Sequence, residues 1–180
     1  CRRHVQKAPL RQKRQKDTEE RQNEALEMLQ NWQSWKNQRP DEKIIYLEEP
    51  FELFTEDGIG FRGKIDRVSY YPEKKLWHII DYKTGKSKIS PKDVKSNLQL
   101  NFYAIALKLW HGDDINVQAD FLYLKDLDMR GLAVTKETIK LARKKLYESY
   151  IKIAKASLFP KKPGWYCDHC QYQNFCKSDV

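Results

Sequence analysis

The chain has 180 residues, 40% of them apolar and 33% charged, and a formal net charge of +9 at pH 7. This length favours one domain with a buried core, and the apolar fraction excludes a disordered polypeptide. The sequence contains no run of about 18 apolar residues that would span a bilayer and no secretory signal pattern, so we expect no membrane association. The positive charge favours a polyanionic partner, of which nucleic acid is the commonest.

The positive charge is concentrated at the N-terminus, where residues 1–16 contain seven Lys or Arg and no acid. Such a segment either contacts a polyanion or forms a solvated, partly disordered tail, and charge alone leaves both open. The chain begins with Cys1 rather than Met, which leaves open a missing upstream segment. We expect one domain over residues 1–180, with the basic segment at 1–16 and a cysteine-rich tail at 160–180.

Hydrophobic spacing, capping residues and turn residues predict a series of helices and strands. In chain order these are a helix over 17–36, strands over 44–54, 61–70 and 76–83, a helix over 90–111, a strand over 116–125 and a helix over 135–157. Pro50 places the first strand at an edge or a bulge. The order predicts an α/β fold with a mixed central β-sheet flanked by helices.

The same spacing predicts which side chains the last two helices bury against the sheet. The expected stripe of the helix over 90–111 is Val94, Leu98, Phe102, Ile105 and Leu109. The expected stripe of the final helix is Ile139, Leu146, Tyr150 and Ile153.

Two aspartates lie on the second and third predicted strands. If these strands form a hairpin centred between Glu73 and Lys74, Asp66 and Asp81 are directly opposite, with Cβ atoms about 4.5–5.5 Å apart. Two carboxylates at that separation repel each other, and a divalent cation is the natural compensation. A slip of one residue in this register would place them on opposite faces of the sheet.

Lys83 lies two residues after Asp81, so both side chains share one strand face. An amine beside a metal can orient an attacking water or stabilise charge on a phosphate, although a surface Asp–Lys salt bridge also explains the spacing. Gln99 and Tyr103 share a helix face, with Lys95 one turn earlier. This polar stripe either faces the same site or is an ordinary solvated edge.

Three motifs follow one another along the chain: GKIDRV at 63–68, DYKTGK at 81–86 and QLNFYAIAL at 99–107. Together with EPFEL at 49–53, they resemble the RecB-like branch of the PD-(D/E)XK nucleases. The resemblance implies a restriction-endonuclease-like core that uses magnesium or manganese. It implies that the two aspartates of the first two motifs bind this metal.

The resemblance also implies roles for the remaining polar residues: Lys83 would be the catalytic lysine, while Gln99 and Tyr103 would position the substrate strand. Members usually have a further metal-binding histidine on an upstream helix. His4 precedes the motifs here, but its surroundings differ from those in the family. Either His4 takes that place as a third metal ligand, or the usual segment is missing from the chain.

Three of the four cysteines lie close together as Cys167, Cys170 and Cys176, and the fourth is Cys1. Four thiolates suit zinc or an iron–sulfur cluster. With GWY at 164–166 and YQNF at 172–175, this arrangement resembles the iron-staple nucleases, which include the AddB subunit of bacterial recombination nucleases and the CRISPR adaptation nucleases. The resemblance implies a [4Fe-4S] cluster that staples the C-terminal tail to the N-terminal segment.

We therefore expect a metal-dependent deoxyribonuclease, and specifically an exonuclease that acts on single-stranded or end-bearing DNA. The resemblance implies a cytoplasmic, nucleoid-associated protein of DNA repair, recombination or CRISPR adaptation, within a larger helicase–nuclease or adaptation complex. Two alternatives stay open. One is a non-catalytic DNA-binding module that keeps the nuclease fold, and the other is a structural zinc or cluster domain that docks a partner protein.

Overall fold

The structure is a computed structural model that describes residues 8–54, 58 and 60–177, with side chains described for residues 18–176 of these ranges. The chain divides into two compact units, Cys1–Lys144 and Lys145–Val180, which are considered separately below. A single domain over residues 1–180 therefore stays a prediction. None of the helices in the described ranges is both long and apolar enough to cross a lipid bilayer.

A five-stranded mixed sheet forms the centre of the first unit. Its strands are β1 (Lys43–Phe54), β2 (Gly60–Tyr71), β3 (Leu76–Lys83), β4 (Asn116–Tyr123) and β5 (Asp128–Ala133), and they lie side by side in that order. Neighbouring strands are antiparallel except β3 and β4, which are parallel. A parallel pair requires a crossover, and the helical segment between β3 and β4 supplies it.

Helices lie on both faces of this sheet, as the predicted fold class requires. The first unit contains α1 (Ala8–Asn37), α2 (Pro91–Val94), α3 (Leu98–His111) and the start of α4 (Lys136–Ala154), while the second unit contains the rest of α4, a 3₁₀ helix at Trp165–His169 and α5 (Gln173–Lys177). Trp35 of α1 packs against Ile80 and Leu122 on one face, and α3 contacts β3 and β4 from the other. The α/β fold with a mixed, helix-flanked sheet is thus confirmed.

The hairpin of β2 and β3 has the register assumed from the sequence. Arg67 pairs with Ile80, and Val68 pairs with Ile79. Because side chains alternate between the two faces along each strand, the two faces of the hairpin carry different residues. One face carries Asp66 and the odd-numbered residues of β3, while the other carries Arg67 and the even-numbered residues.

The helix predicted over 90–111 is two helices, α2 and α3. Asn97 interrupts it, because its side chain accepts a hydrogen bond from Leu100 N at 3.1 Å and so caps the start of α3. The predicted buried stripe is correspondingly wrong at its end, since Leu109 is 55% exposed. The residues of α3 that are buried are Leu100, Asn101, Tyr103, Ala104, Ile105, Ala106, Leu107 and Lys108.

The sequence interpretation missed β5. This strand is short, contains Gly131 and begins with charged Asp128, so its composition resembles that of a loop. Its pairing explains the glycine: Gly131 pairs with Asp120 of β4, and a Cβ there would lie 2.0 Å from Ala119 O and 2.1 Å from Asp120 Oδ1. Tertiary packing therefore determines this strand more than local propensity does.

The two ends of the chain also differ from expectation. Residues 8–16 continue α1 towards the N-terminus, so this part of the basic segment is helical rather than a disordered tail, while residues 1–7 lie outside the described ranges. In α4, Ile139 is buried as predicted, but Tyr150 and Ile153 are exposed. The final turns of α4 thus have an apolar side that the rest of their unit does not cover.

Gly131→Ala is expected to destabilise the protein by about 1–3 kcal/mol, because the new methyl group would overlap backbone as well as side-chain atoms. This corresponds to a fall in Tm of several degrees, measurable by thermal melting followed by circular dichroism. Gly85→Ala is the matched control, since a Cβ at that position meets no atom within 4 Å. Equal Tm values for the two variants would contradict the packing described for β5.

Candidate active site

Asp81 lies near the end of β3, on the sheet face that α3 covers, and is only 2% exposed. Its Oδ1 accepts a hydrogen bond from Gln99 Nε2 at 2.6 Å and a longer one from Tyr103 Oη at 3.4 Å. Its Oδ2 lies 2.5 Å from Lys83 Nζ. Apart from this ion pair, Oδ2 has no hydrogen-bond partner among the described residues, which leaves one side of a buried carboxylate incompletely satisfied.

Asp66 lies on β2, and the observed register places it across from Asp81. Its Oδ2 accepts a hydrogen bond from the backbone N–H of Tyr82 at 3.0 Å, and its side chain is half-buried. The hairpin therefore presents the two carboxylates to the same face of the sheet, one buried and one partly open to solvent.

Burial sets the electrostatics of this pair. It raises the pKa of Asp81 above the ordinary aspartate value, the Lys83 ammonium opposes that rise, and the negative charge of Asp66 adds to it. Ionised Asp81 is thus a charge that the metal-free protein stabilises poorly, and a second positive charge at this position would relieve the cost.

Gln99 connects the lysine with the aspartate. Its Oε1 accepts a hydrogen bond from Lys83 Nζ at 3.2 Å, and its Nε2 donates to Asp81 and to Tyr103 Oη, the latter at 2.9 Å. Lys83 Nζ also lies 4.7 Å from the centroid of the Phe121 ring. One amide at the start of α3 therefore orients the carboxylate and the ammonium relative to each other.

Tyr103 is held by β1 and keeps its proton. Burial raises the pKa of its phenol, and the charges of Asp81 and Asp66 favour the neutral form further, so the hydroxyl is a donor at neutral pH. Phe51 packs edge-on against the Tyr103 ring at 5.9 Å between centroids. Gly63 makes room for Phe51, since a Cβ there would lie 2.6 Å from that ring, which gives the glycine of the GKIDRV motif a steric reason.

The two carboxylates suit a hard divalent cation such as Mg²⁺, which takes oxygen ligands and is often held by only one or two protein carboxylates, with water and phosphate oxygens completing its shell. The buried, incompletely satisfied Oδ2 of Asp81 fits such an ion. Within the part of the chain that the structure describes, no three His, Cys, Asp or Glu side chains form a group that could hold a metal. Asp66 and Asp81 are thus the available carboxylate ligands there.

Other residues considered from the sequence are not at this site. Lys95 is exposed and lies between α2 and α3, so it does not extend the Gln99–Tyr103 stripe as the unbroken helix predicted. His4 and Cys1 lie outside the described residues, and their assignments as ligands stay predictions. Conversely, the sequence interpretation gave no role to the side chains of Arg67 and Tyr82. The signal for Arg67 was its position between Ile65 and Ser69 on an otherwise buried strand face.

Three of the four cysteines, Cys167, Cys170 and Cys176, belong to the second unit. Cys167 is half-buried, and its Sγ accepts a hydrogen bond from Gly164 N at 3.3 Å, whereas Cys170 and Cys176 are exposed. All three are free thiols, and they do not form a metal-holding group within the described residues. The described side chains therefore do not by themselves fit a cluster site.

Comparison with known proteins supports one family. The sequence profile described as "PD-(D/E)XK nuclease superfamily" matches residues 1–177. No curated protein matches the chain. Among solved structures, the chain is similar to the crystal structure of a "Putative exonuclease" from Eubacterium rectale, at 15% sequence identity and a TM-score of 0.41. This match covers 72% of the chain and 51% of that protein, so the chain spans about half of its length.

Asp81→Asn is expected to stabilise the metal-free protein at pH 7–8. A carboxyl whose folded-state pKa is raised stabilises the fold while protonated, and this contribution is lost as the pH rises through the folded pKa. The neutral amide avoids that loss, so Tm in EDTA should rise by roughly 2–4 °C, the change that ~1 kcal/mol produces in a chain of this size. The difference should vanish at acidic pH, where Asp81 is protonated.

Added Mn²⁺ should reverse this order, because a cation that binds only the folded state stabilises by about 2.7 kcal/mol at a hundredfold excess over Kd. Wild type should gain that increment and Asp81→Asn should not. If Asp81→Asn instead lowers Tm in EDTA at pH 8, the Lys83 ion pair outweighs the burial cost.

Proposed function

Because the chain belongs to the PD-(D/E)XK nuclease superfamily, we propose that it hydrolyses phosphodiester bonds in DNA at the site formed by Asp66, Asp81 and Lys83. The observation that carries this proposal is the buried Asp81 carboxylate, which faces Lys83 on one oxygen and lies across the hairpin from Asp66. A buried carboxylate that is only partly neutralised and lies beside a second carboxylate lowers the stability of the fold. Such groups are typical of functional sites.

PD-(D/E)XK nucleases typically use magnesium or manganese. Asp66 and Asp81 would hold such an ion, which when bound lowers the pKa of water and neutralises charge on a phosphate. Gln99 and Tyr103 keep Asp81 Oδ1 occupied by hydrogen bonds, so Oδ2, which faces Lys83, is the oxygen that would act as a ligand. The protein thereby fixes the orientation of the carboxylate before any substrate arrives.

Lys83 has the second chemical role. Its ammonium is held between Asp81 and Gln99, and it can stabilise negative charge on the phosphate or orient the attacking water. With a cation at Asp81, Gln99 Oε1 would still accept the hydrogen bond from Lys83 Nζ and so would hold the lysine at the site. The proposal thus assigns charge stabilisation to residues that are already linked by hydrogen bonds.

The preferred substrate is single-stranded or end-bearing DNA, cut by an exonuclease mode, in a larger helicase–nuclease or CRISPR adaptation complex. The support for a nucleic-acid partner is the net charge of +9, with Lys and Arg concentrated in residues 1–16. The end preference and the larger complex rest on the resemblance of the sequence motifs.

A non-catalytic DNA-binding module is the second candidate. It is favoured by the metal site itself, because the described residues supply two carboxylates and no third His, Cys, Asp or Glu to join them. Such a module would bind DNA in a salt-sensitive manner and would not cleave it with any divalent cation.

Cleavage of linear single-stranded and double-stranded DNA should require Mg²⁺ or Mn²⁺ and stop in EDTA. Asp81→Asn and Lys83→Ala should each lower the rate by about a hundredfold or more, because each removes a charge that acts on the phosphate or its cation. Rates are measured on end-labelled oligonucleotides, and a covalently closed circle tests whether ends are needed.

Asp120→Asn is the matched control for Asp81→Asn. Asp120 is also a buried aspartate, on the neighbouring strand β4, but it pairs with His78 Nε2 at 2.7 Å on the opposite face of the sheet. This variant should lose stability yet keep its cleavage rate per folded molecule. The proposal would be refuted if Asp81→Asn cleaved DNA at the wild-type rate, or if the wild-type protein cleaved no DNA with either metal.

The [4Fe-4S] cluster on Cys1, Cys167, Cys170 and Cys176 is a separate expectation, supported by the cysteine spacing and by the resemblance of the tail to iron-staple nucleases. Protein purified without oxygen should contain iron and acid-labile sulfide, and Cys170→Ser should lose both. The comparison variant is Ser157→Ala, which alters an exposed part of the same unit. Zinc in place of iron, or neither metal, would contradict the cluster.

A further inference from the structure

Arg67 is the largest fully buried side chain of the described protein, with 0% exposure. Its guanidinium forms an ion pair with Glu42 Oε2, donates from Nε to Ser69 Oγ at 3.0 Å, and donates from Nη1 to Tyr82 Oη at 3.1 Å. A fully buried ion pair adds little net stability, because desolvation offsets the attraction. The main effect of this arrangement is therefore to hold its neighbours in place.

Arg67 and Tyr82 occupy a specific place in the hairpin. Arg67 directly follows Asp66 on β2, and Tyr82 directly follows Asp81 on β3, so strand alternation puts the Arg–Tyr pair on the face opposite the two carboxylates. Their hydrogen bond joins the two strands directly behind the site. It joins β2 and β3 beside the two residues whose carboxylates must be held together.

Tyr82 links the Arg67–Tyr82 hydrogen bond to the site through its own backbone. Its hydroxyl accepts hydrogen bonds from Arg67 and from Trp32 Nε1 of α1, both at 3.1 Å. Its backbone N–H donates to Asp66 Oδ2 at 3.0 Å. The residue is therefore fixed at its side-chain end by β2 and α1, and it fixes Asp66 at its backbone end.

We infer that Arg67 and Tyr82 are positioning residues: their hydrogen bond on the far face of the sheet sets the separation and orientation of Asp66 and Asp81, and so the affinity of the site for a divalent cation. The inference rests on the proposed function for its metal. It assigns no contact between these two side chains and the substrate.

Tyr82→Phe tests this, because it deletes one hydroxyl and leaves the ring in place. We expect Mn²⁺ binding, measured by titration calorimetry without nucleic acid, to weaken by about tenfold, the lower end of what the loss of a ligand-orienting partner costs. kcat for DNA cleavage should fall by a similar factor with an unchanged KM for DNA. The backbone amide at position 82 should exchange with solvent at least about tenfold faster, since its acceptor Asp66 is no longer held.

Tyr46→Phe is the matched control. It deletes a hydroxyl that bonds His111 Nε2 at 3.0 Å at the C-terminal end of α3, whereas the site residues Gln99 and Tyr103 lie in the first half of that helix. It should lower Tm to a similar extent without changing metal affinity, kcat or the exchange rate at position 82.

The outcomes separate the two levels of the proposal. A wild-type protein that does not cleave DNA refutes the proposed function, while the exchange rate at position 82 still tests the positioning role. If Tyr82→Phe matches Tyr46→Phe in Mn²⁺ affinity, kcat and amide exchange, the pair is merely structural and the inference is overturned.

Discussion

A single antiparallel register between β2 and β3 determines both faces of the sheet at once. It places Asp66 across from Asp81 on the face under α3, and Arg67 beside Tyr82 on the face under α1. A shift of one residue would exchange these faces, burying an aspartate against Trp35 and turning the arginine towards α3. The polar groups on each side thus help to specify the register, together with the apolar ones.

At the site, two carboxylates repel each other and their charges are only partly neutralised. Asp81 is buried next to another carboxylate, and Lys83 neutralises one of its oxygens while Gln99 and Tyr103 occupy the other. Native proteins commonly sacrifice stability where a function requires such an arrangement. Here the sacrifice is local, since the neighbouring apolar residues Ile79, Ile80 and Leu100 are completely buried.

The sequence was sufficient to predict the parts of the fold that local patterns encode. Strands β2 and β3 and the hairpin between them followed from alternation and from the turn at Pro72, and the start of α4 followed from Thr135, whose Oγ1 accepts a hydrogen bond from Thr138 N at 3.2 Å. The predicted candidates Asp66, Asp81, Lys83, Gln99 and Tyr103 lie together, although their chemical roles stay proposals.

What could not be predicted depends on contacts distant in the chain. Asn97 acts as a cap only because the chain turns there, and without that knowledge the buried face of α3 was misplaced. β5 exists because β4 pairs with it, and Gly131 is required by the closeness of that pairing. Likewise Arg67 is recognisable as part of a network only once Glu42 and Tyr82 are known to surround it.

The outer strand β1 shows a further consequence of placement. An unpaired strand edge is a template for a second sheet, and β1 also exposes Ile44, Ile45 and Leu47. Its bulge between Ile44 and Tyr46, the left-handed backbone of Glu48 and the missing N–H of Pro50 interrupt that template at successive points. These irregularities would hinder two copies of the protein from joining edge to edge into a continuous, aggregating sheet.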